Sequence, residues 1–192
     1  APSAQARTWF LVLICASAAI GATAWFAKPT FAIFSILQFL VLVVESDRRA
    51  ATRTRALAFV IGCALGAVVP LVFLFGWGDA RAFFRITFHD VPTMYRFIWP
   101  KGAVEIFSRD GVVMTSALAF VTSCMLVALV LEGELPKRLL TIALLPMAGL
   151  VSVLAQAKGF PYHFHPVTVG MHLQWLVIVV WLGPAPPWKN MA

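Results

Sequence analysis

The sequence predicts an all-α fold: a polytopic bundle of transmembrane helices, about six spans, with one amphipathic helix lying in the membrane interface. Three observations carry this. Of the 192 residues, 61% are hydrophobic and only 12% are charged, roughly half the charged share of a soluble domain. The mean hydropathy is +0.88. Apolar runs near the ~20 residues that cross about 30 Å of hydrocarbon recur along the chain. The alternating strands of a membrane barrel do not appear, so helices satisfy the backbone. Residues 1–192 read as a single transmembrane domain. A cleaved signal peptide does not explain the first run, because five more follow it and no small-residue cleavage site is evident.

The expected spans, in order, are Thr8–Ala27, Thr30–Glu45, Arg55–Trp77, Val112–Leu131, Arg138–Ala155 and Pro166–Leu182. The second is short and reads as a bent or partly immersed hairpin with the first, turning at "AKPT". Pro70 and Pro146 fall inside spans, where neighbouring helices can absorb a kink. No internal repeat is present. Segment 78–111 is interfacial or external. In "GDARAFFRITFHDV", Phe84, Phe88 and Val91 recur at helical spacing while Arg81, Arg85 and His89 step by four, which predicts an amphipathic helix over 79–91. The following "VPTMYRFIWPKG", with two prolines and clustered aromatics, reads as a structured loop that caps a site or docks on a partner.

The net charge is +7. The basic residues sit at the ends of apolar runs, where they act as topology signals and headgroup partners, so nucleic acid is excluded as the partner and membrane lipids are expected. "SDRRAATRTR" and "PKR" place both termini in the cytoplasm, although segment 78–111 carries Arg81, Arg85, Arg96, Lys101 and Arg109 on the other side. Localisation in a bacterial inner membrane is expected. Cys15, Cys63 and Cys124 read as small buried hydrophobes, and neither a metal site nor a cofactor is expected.

The chemistry-bearing stretch is "QAKGFPYHFHP", residues 156–166. It gathers Lys158, Tyr162, His163 and His165 at the outer face. In an extended loop the two histidines would point the same way, but no third ligand lies nearby for a metal. A lysine and two imidazoles beside aromatic rings suit a phosphate or pyrophosphate, with a plain aromatic–basic interfacial anchor as the alternative. The stripe of Arg81 and Arg85 either snorkels to lipid phosphates or meets the phosphate of a lipid-linked substrate. His172, three residues before Trp175, reads as a histidine inside a span, with hydrogen bonding in the core or axial ligation of a haem or pigment both open. Asp90 beside His89 is the best acid–base pair in the chain, and also reads as a solvated charge. No nucleophile constellation, Gly-rich phosphate loop or paired-carboxylate motif is present.

"WFAKPTFAIFSILQFLVLVVE" resembles the "KPT" hairpin of GT-C glycosyltransferases, polytopic enzymes that take sugars from polyprenyl-phosphate donors at the outer membrane face. "ITFHDVP" and "QAKGFPYHFHP" are similar to the later half of that superfamily, so the resemblance spans residues 20–175. It implies that Lys28, Lys158, Tyr162 and His163 help to hold a lipid-phosphate donor. That superfamily places an essential acidic residue in its first external loop, whereas "AKPT" has none. Two readings follow. The chain is the C-terminal part or a shortened relative of a glycosyl-transferring enzyme using a polyprenyl-phosphate sugar, or it is a non-catalytic accessory subunit packed against other membrane chains of a larger, energy-converting complex.

Overall fold

The computed structural model describes residues 3–45, 49–98, 102–109, 111–156 and 161–183. Among them every regular element is helical. Five helices are long and apolar enough to cross a membrane, and a shorter apolar helix follows the first of them. Their outward faces remain apolar, with Leu13, Ile20, Val69, Phe73, Phe120, Leu176 and Val179 all exposed. In water such a surface would associate; in hydrocarbon it is the solvated face. The chain is an integral membrane protein.

Helix α1 (Ala4–Ala27) begins where the Ser3 hydroxyl accepts from the Ala6 N–H, the usual way to satisfy one orphan donor of a helix start. It stops at Lys28, which is extended, because Pro29 disfavours the helical conformation of the residue before it. Pro29 then opens a 3-10 turn, Pro29–Phe31, that reverses the chain into α2 (Ala32–Val44). The hairpin expected at "AKPT" is therefore present. Helix α2 has 13 residues, about 20 Å at 1.5 Å per residue, which is short of the hydrocarbon thickness.

Helix α3 (Arg49–Gly76) runs parallel to α1, and α2 lies antiparallel to both. The contacts fix the register. Gly62 lies on the Cys15 backbone and Gly66 on that of Ala19. Gln38 Nε2 donates to Ser17 Oγ, Trp25 Nε1 donates to Ser35 Oγ at 3.1 Å, and the Phe39 and Phe59 rings are 5.4 Å apart. At the lower end, Arg55 meets Glu45 at 3.6 Å and lies 5.0 Å from the centre of the Phe10 ring.

Helices α4 (Ala80–Arg85), α5 (Val91–Ile98) and α6 (Ala103–Phe107) follow at the opposite, upper end. A second unit then forms from α7 (Val112–Leu131), α8 (Leu140–Gln156) and α9 (His165–Leu182). Helix α8 runs against the other two, and α9 approaches it closely where Gly170 faces Pro146 and Gly149 faces Val167. The two units are joined through α2. Its Leu37 and Val41 pack in one cluster with Leu126, Val130, Leu140, Ala143 and Ile178.

Residues 80–98 correct part of the sequence reading. A helix is present where 79–91 predicted one, and Asp79 caps it by accepting from the Ala82 N–H at 2.8 Å. It continues beyond Asp90 through "VPTMYRFI", the stretch expected to be a loop. A π turn over Ile86–Asp90 makes this possible, with the Val91 N–H reaching back to the Ile86 carbonyl. Pro92 has no N–H and its ring presses on the preceding turn, so a widened turn just before it relieves the clash that would end an α-helix. Phe83, not singled out in the sequence, anchors the segment by stacking on Phe26 of α1 at 6.4 Å.

Candidate functional site

The upper end collects the α1–α2 turn, the 80–98 segment and the 3-10 turn Pro161–Phe164. Lys28, Arg81, Arg85, Tyr162, His163 and His165 therefore share one end of the bundle, reached from three separate parts of the sequence. Lys158 lies outside the described residues, and of Tyr162 only the backbone is described. Lys28 sits 5.4 Å over the Phe31 ring, a cation–π contact made by the hairpin itself. Arg81 is exposed on α4.

Arg85 stays 70% exposed while its Nε donates to Asp90 Oδ2 at 3.2 Å. The neighbouring His89, 76% exposed, donates through Nδ1 to Asp90 Oδ1 at 2.9 Å. The π turn swings Asp90 back towards Arg85, so Arg85 and His89 of the expected basic stripe share one carboxylate. The hydrogen bond from His89, with Arg85 adding to it, holds the Asp90 carboxyl below the usual carboxylate range. Asp79 is occupied as a helix cap. Both carboxylates are thus engaged in hydrogen bonds.

The two histidines of "HFH" part company. Pro161–Phe164 is a 3-10 turn leading straight into α9, not an extended loop, so residues two apart do not face the same way. His163 is 4% exposed and Phe164 is also buried, within the cluster of Ile106, Val153 and Val167, while His165 is exposed. Among the described residues no group of three His, Cys, Asp or Glu side chains gathers to hold a metal.

His172 also departs from the sequence reading. It lies on the exposed side of α9, its Nδ1–H donating to the Thr168 carbonyl at 2.6 Å. Its position in the apolar run masked this, because the buried face of α9 follows Val167, Gly170, Met171, Gln174 and Ile178. Cys124 likewise is exposed, while Cys15 and Cys63 are half-buried.

The buried polar centre is one the sequence reading missed. Gln174 is 0% exposed. Its Oε1 accepts from Thr122 at 2.6 Å, and its Nε2 donates to Ser123 Oγ and to the Ala143 carbonyl, each at 2.8 Å. A lone glutamine in the middle of an apolar run was the available signal, since uncharged amides inside membranes join helices by hydrogen bonds. The centre binds α7, α8 and α9 together beside Pro146. Its polar atoms are already engaged, so it is a fastening and not a ligand site.

No protein-family model, no curated protein and no solved structure matches the chain.

Proposed function

We propose that this chain is a membrane subunit that holds the phosphate of a lipid-linked substrate at its upper end and leaves any proton transfer to another group. The observation that carries this is the placement of charge at that end. Lys28, Arg81 and Arg85 come to one end of the bundle from two segments, while Asp79 caps a helix and Asp90 is tied to Arg85 and His89. Cations at a membrane interface attract phosphate, and a committed carboxylate makes a poor base. On this reading the upper end faces outward from a bacterial cytoplasmic membrane, and the polyprenyl phosphate of a sugar donor is a fitting ligand.

The test is binding in nanodiscs of polyprenyl phosphate against uncharged polyprenol. A charge-assisted hydrogen bond contributes about 1.5–3 kcal/mol. Lys28→Ala and Arg81→Ala should therefore each weaken phosphate binding by about one to two orders of magnitude and leave polyprenol unaffected. Equal binding of the two lipids would overturn the proposal.

A second reading, that the chain is one portion of a GT-C-type glycosyltransferase, is favoured by a separate observation. The "KPT" hairpin, the 80–98 helix and the Pro161–Phe164 turn all lie at the same end. Purification from its own membranes in mild detergent separates the two. A polypeptide or partner that brings a carboxylate and sugar transfer supports the portion, and an assembly without transfer supports the accessory subunit.

A further inference from the structure

Basic side chains keep to the ends of the long helices, with one exception. In α1 and α3 the arginines fall within about two turns of the start, α7 and α8 contain no basic residue, and His165 opens α9. His172 is the exception, about 10 Å further along the α9 axis at 1.5 Å per residue. The 18 residues of α9 extend for about 27 Å, nearly the whole of a hydrocarbon layer about 30 Å thick. His172 therefore lies well inside that layer, and its side chain is too short to return the ring to the headgroups.

Ionisable side chains within a membrane almost always face protein or water. His172 faces neither within this chain. It is exposed, and at 100° per residue it stands about 160° around the helix from the buried Gln174. Its Nδ1–H is bound to the Thr168 carbonyl, which fixes the tautomer and leaves Nε2 as an outward acceptor, with no partner among the described residues. One turn below, Trp175 is 45% exposed, and its indole N–H likewise has no acceptor among them. Both belong to one stripe. His165, Thr168, His172, Trp175, Val179 and Leu182 recur at alternating spacings of three and four, the pattern of a helix that pairs lengthwise with another, and all but Thr168 are exposed.

The stripe offers one acceptor and one donor, about 4.5 Å apart along the axis, and is complementary to itself. A helical side chain leans towards the N-terminus of its helix, so an indole at position 175 reaches the level of position 172 on a parallel neighbour. Lipid tails offer neither group a partner, and a different helix would have to present both at this spacing. We infer that the outward face of α9 is a homodimer seam, on which a second copy of this chain packs in parallel through two reciprocal hydrogen bonds from Trp175 of each copy to His172 of the other. A two-fold axis along the membrane normal makes the contact twice, and a polar group in such a seam also fixes its register. The seam is independent of the cations at Lys28, Arg81 and Arg85, and stands whether or not phosphate binds there.

The experiment uses the full chain in its own membranes, with Cys15, Cys63 and Cys124 replaced by alanine. V179C on the stripe and V69C, equally outward on α3, are oxidised with copper phenanthroline. V179C should cross-link into dimers of the chain and V69C should not. Equal cross-linking of the two, none at V179C, or a V179C cross-link to a different protein would overturn the seam. Energy transfer between labelled copies, diluted with phosphatidylcholine, then measures the dimer affinity. H172L and W175F should each weaken it about tenfold, because symmetry removes the bond twice. The double variant should lose little more than either single one, since both changes break the same bond. Losses that add, or no loss at all, would show that the two side chains do not meet and would sink the inference.

Discussion

The Thr23 hydroxyl donates to the carbonyl oxygen of Gly66 at 3.0 Å, joining α1 to α3 across their closest approach. The same hydroxyl lies 3.0 Å from the Ala19 carbonyl in its own helix. Two backbones come this near only because position 66 has no side chain: a Cβ there would sit 2.1 Å from the Ala19 carbonyl oxygen, and one at Gly62 would sit 2.2 Å from that of Cys15. In a membrane, where apolar burial between helices has little driving force, such close packing is what associates them.

Gly66→Val is therefore expected to separate α1 from α3. Overpacking of this kind costs about 1–3 kcal/mol, and more where backbone is the obstacle. Thr23→Val removes only a hydrogen bond and should cost about 0.6 kcal/mol, the average for such bonds in membranes. Unfolding titrations in mixed detergent would measure both. A Gly66 variant as stable as the native protein would mean that the α1–α3 register is wrong.

Gln174→Leu should destabilise more than its surroundings suggest. It leaves Ser123 and the Ala143 carbonyl without their partner while Thr122 retains a bond to Leu118. Each buried polar group left unpaired costs about 1–3 kcal/mol. Thr122→Val, which keeps the Ser123 and Ala143 bonds, is expected to be milder. If the order is reversed, the glutamine is not the centre of the fastening.

The 80–98 segment should respond to acid in a defined direction. Asp90 has its pKa lowered by His89 and Arg85, so its contacts are fully present above the ordinary aspartate value of about 3.9 and are lost as pH falls through the lower folded value. A spin label at Phe88 should keep its mobility from neutral pH down to about pH 5 and loosen only below about pH 4. Asp90→Asn should show the loosened spectrum at neutral pH. Loosening confined to the range of histidine titration would assign the effect to His89 instead.

Antiparallel packing of α7, α8 and α9 also fixes which loops share a side. Ser108, between α6 and α7, and Glu134, between α7 and α8, lie at opposite ends of α7. Cysteines placed at these positions should label from opposite faces of the membrane with an impermeant reagent. Labelling of both from one side would mean that α7 does not cross.

Much of the architecture is determined by composition and spacing. Apolar runs of bilayer length become helices because hydrocarbon offers the backbone no other partner, so the long spans, the turn at Lys28–Pro29 and the presence of a helix after Asp79 are all legible in the sequence. Periodicity does not say which face of an apolar helix is inside, because lipid and protein interior are equally apolar. That is why His172 and Cys124 turn outward while Gln174 turns inward, and why the tight pair Gly62 and Gly66 in "GCALG" acquires its meaning only against Cys15 and Ala19. Nor does spacing foresee the π turn at Ile86–Asp90, which carries the helix past Pro92 and draws Asp90 to Arg85. Hydrophobicity placed the helices in the membrane; close packing and the pairing of buried polar atoms, which depend on neighbours distant in sequence, decided how they face one another.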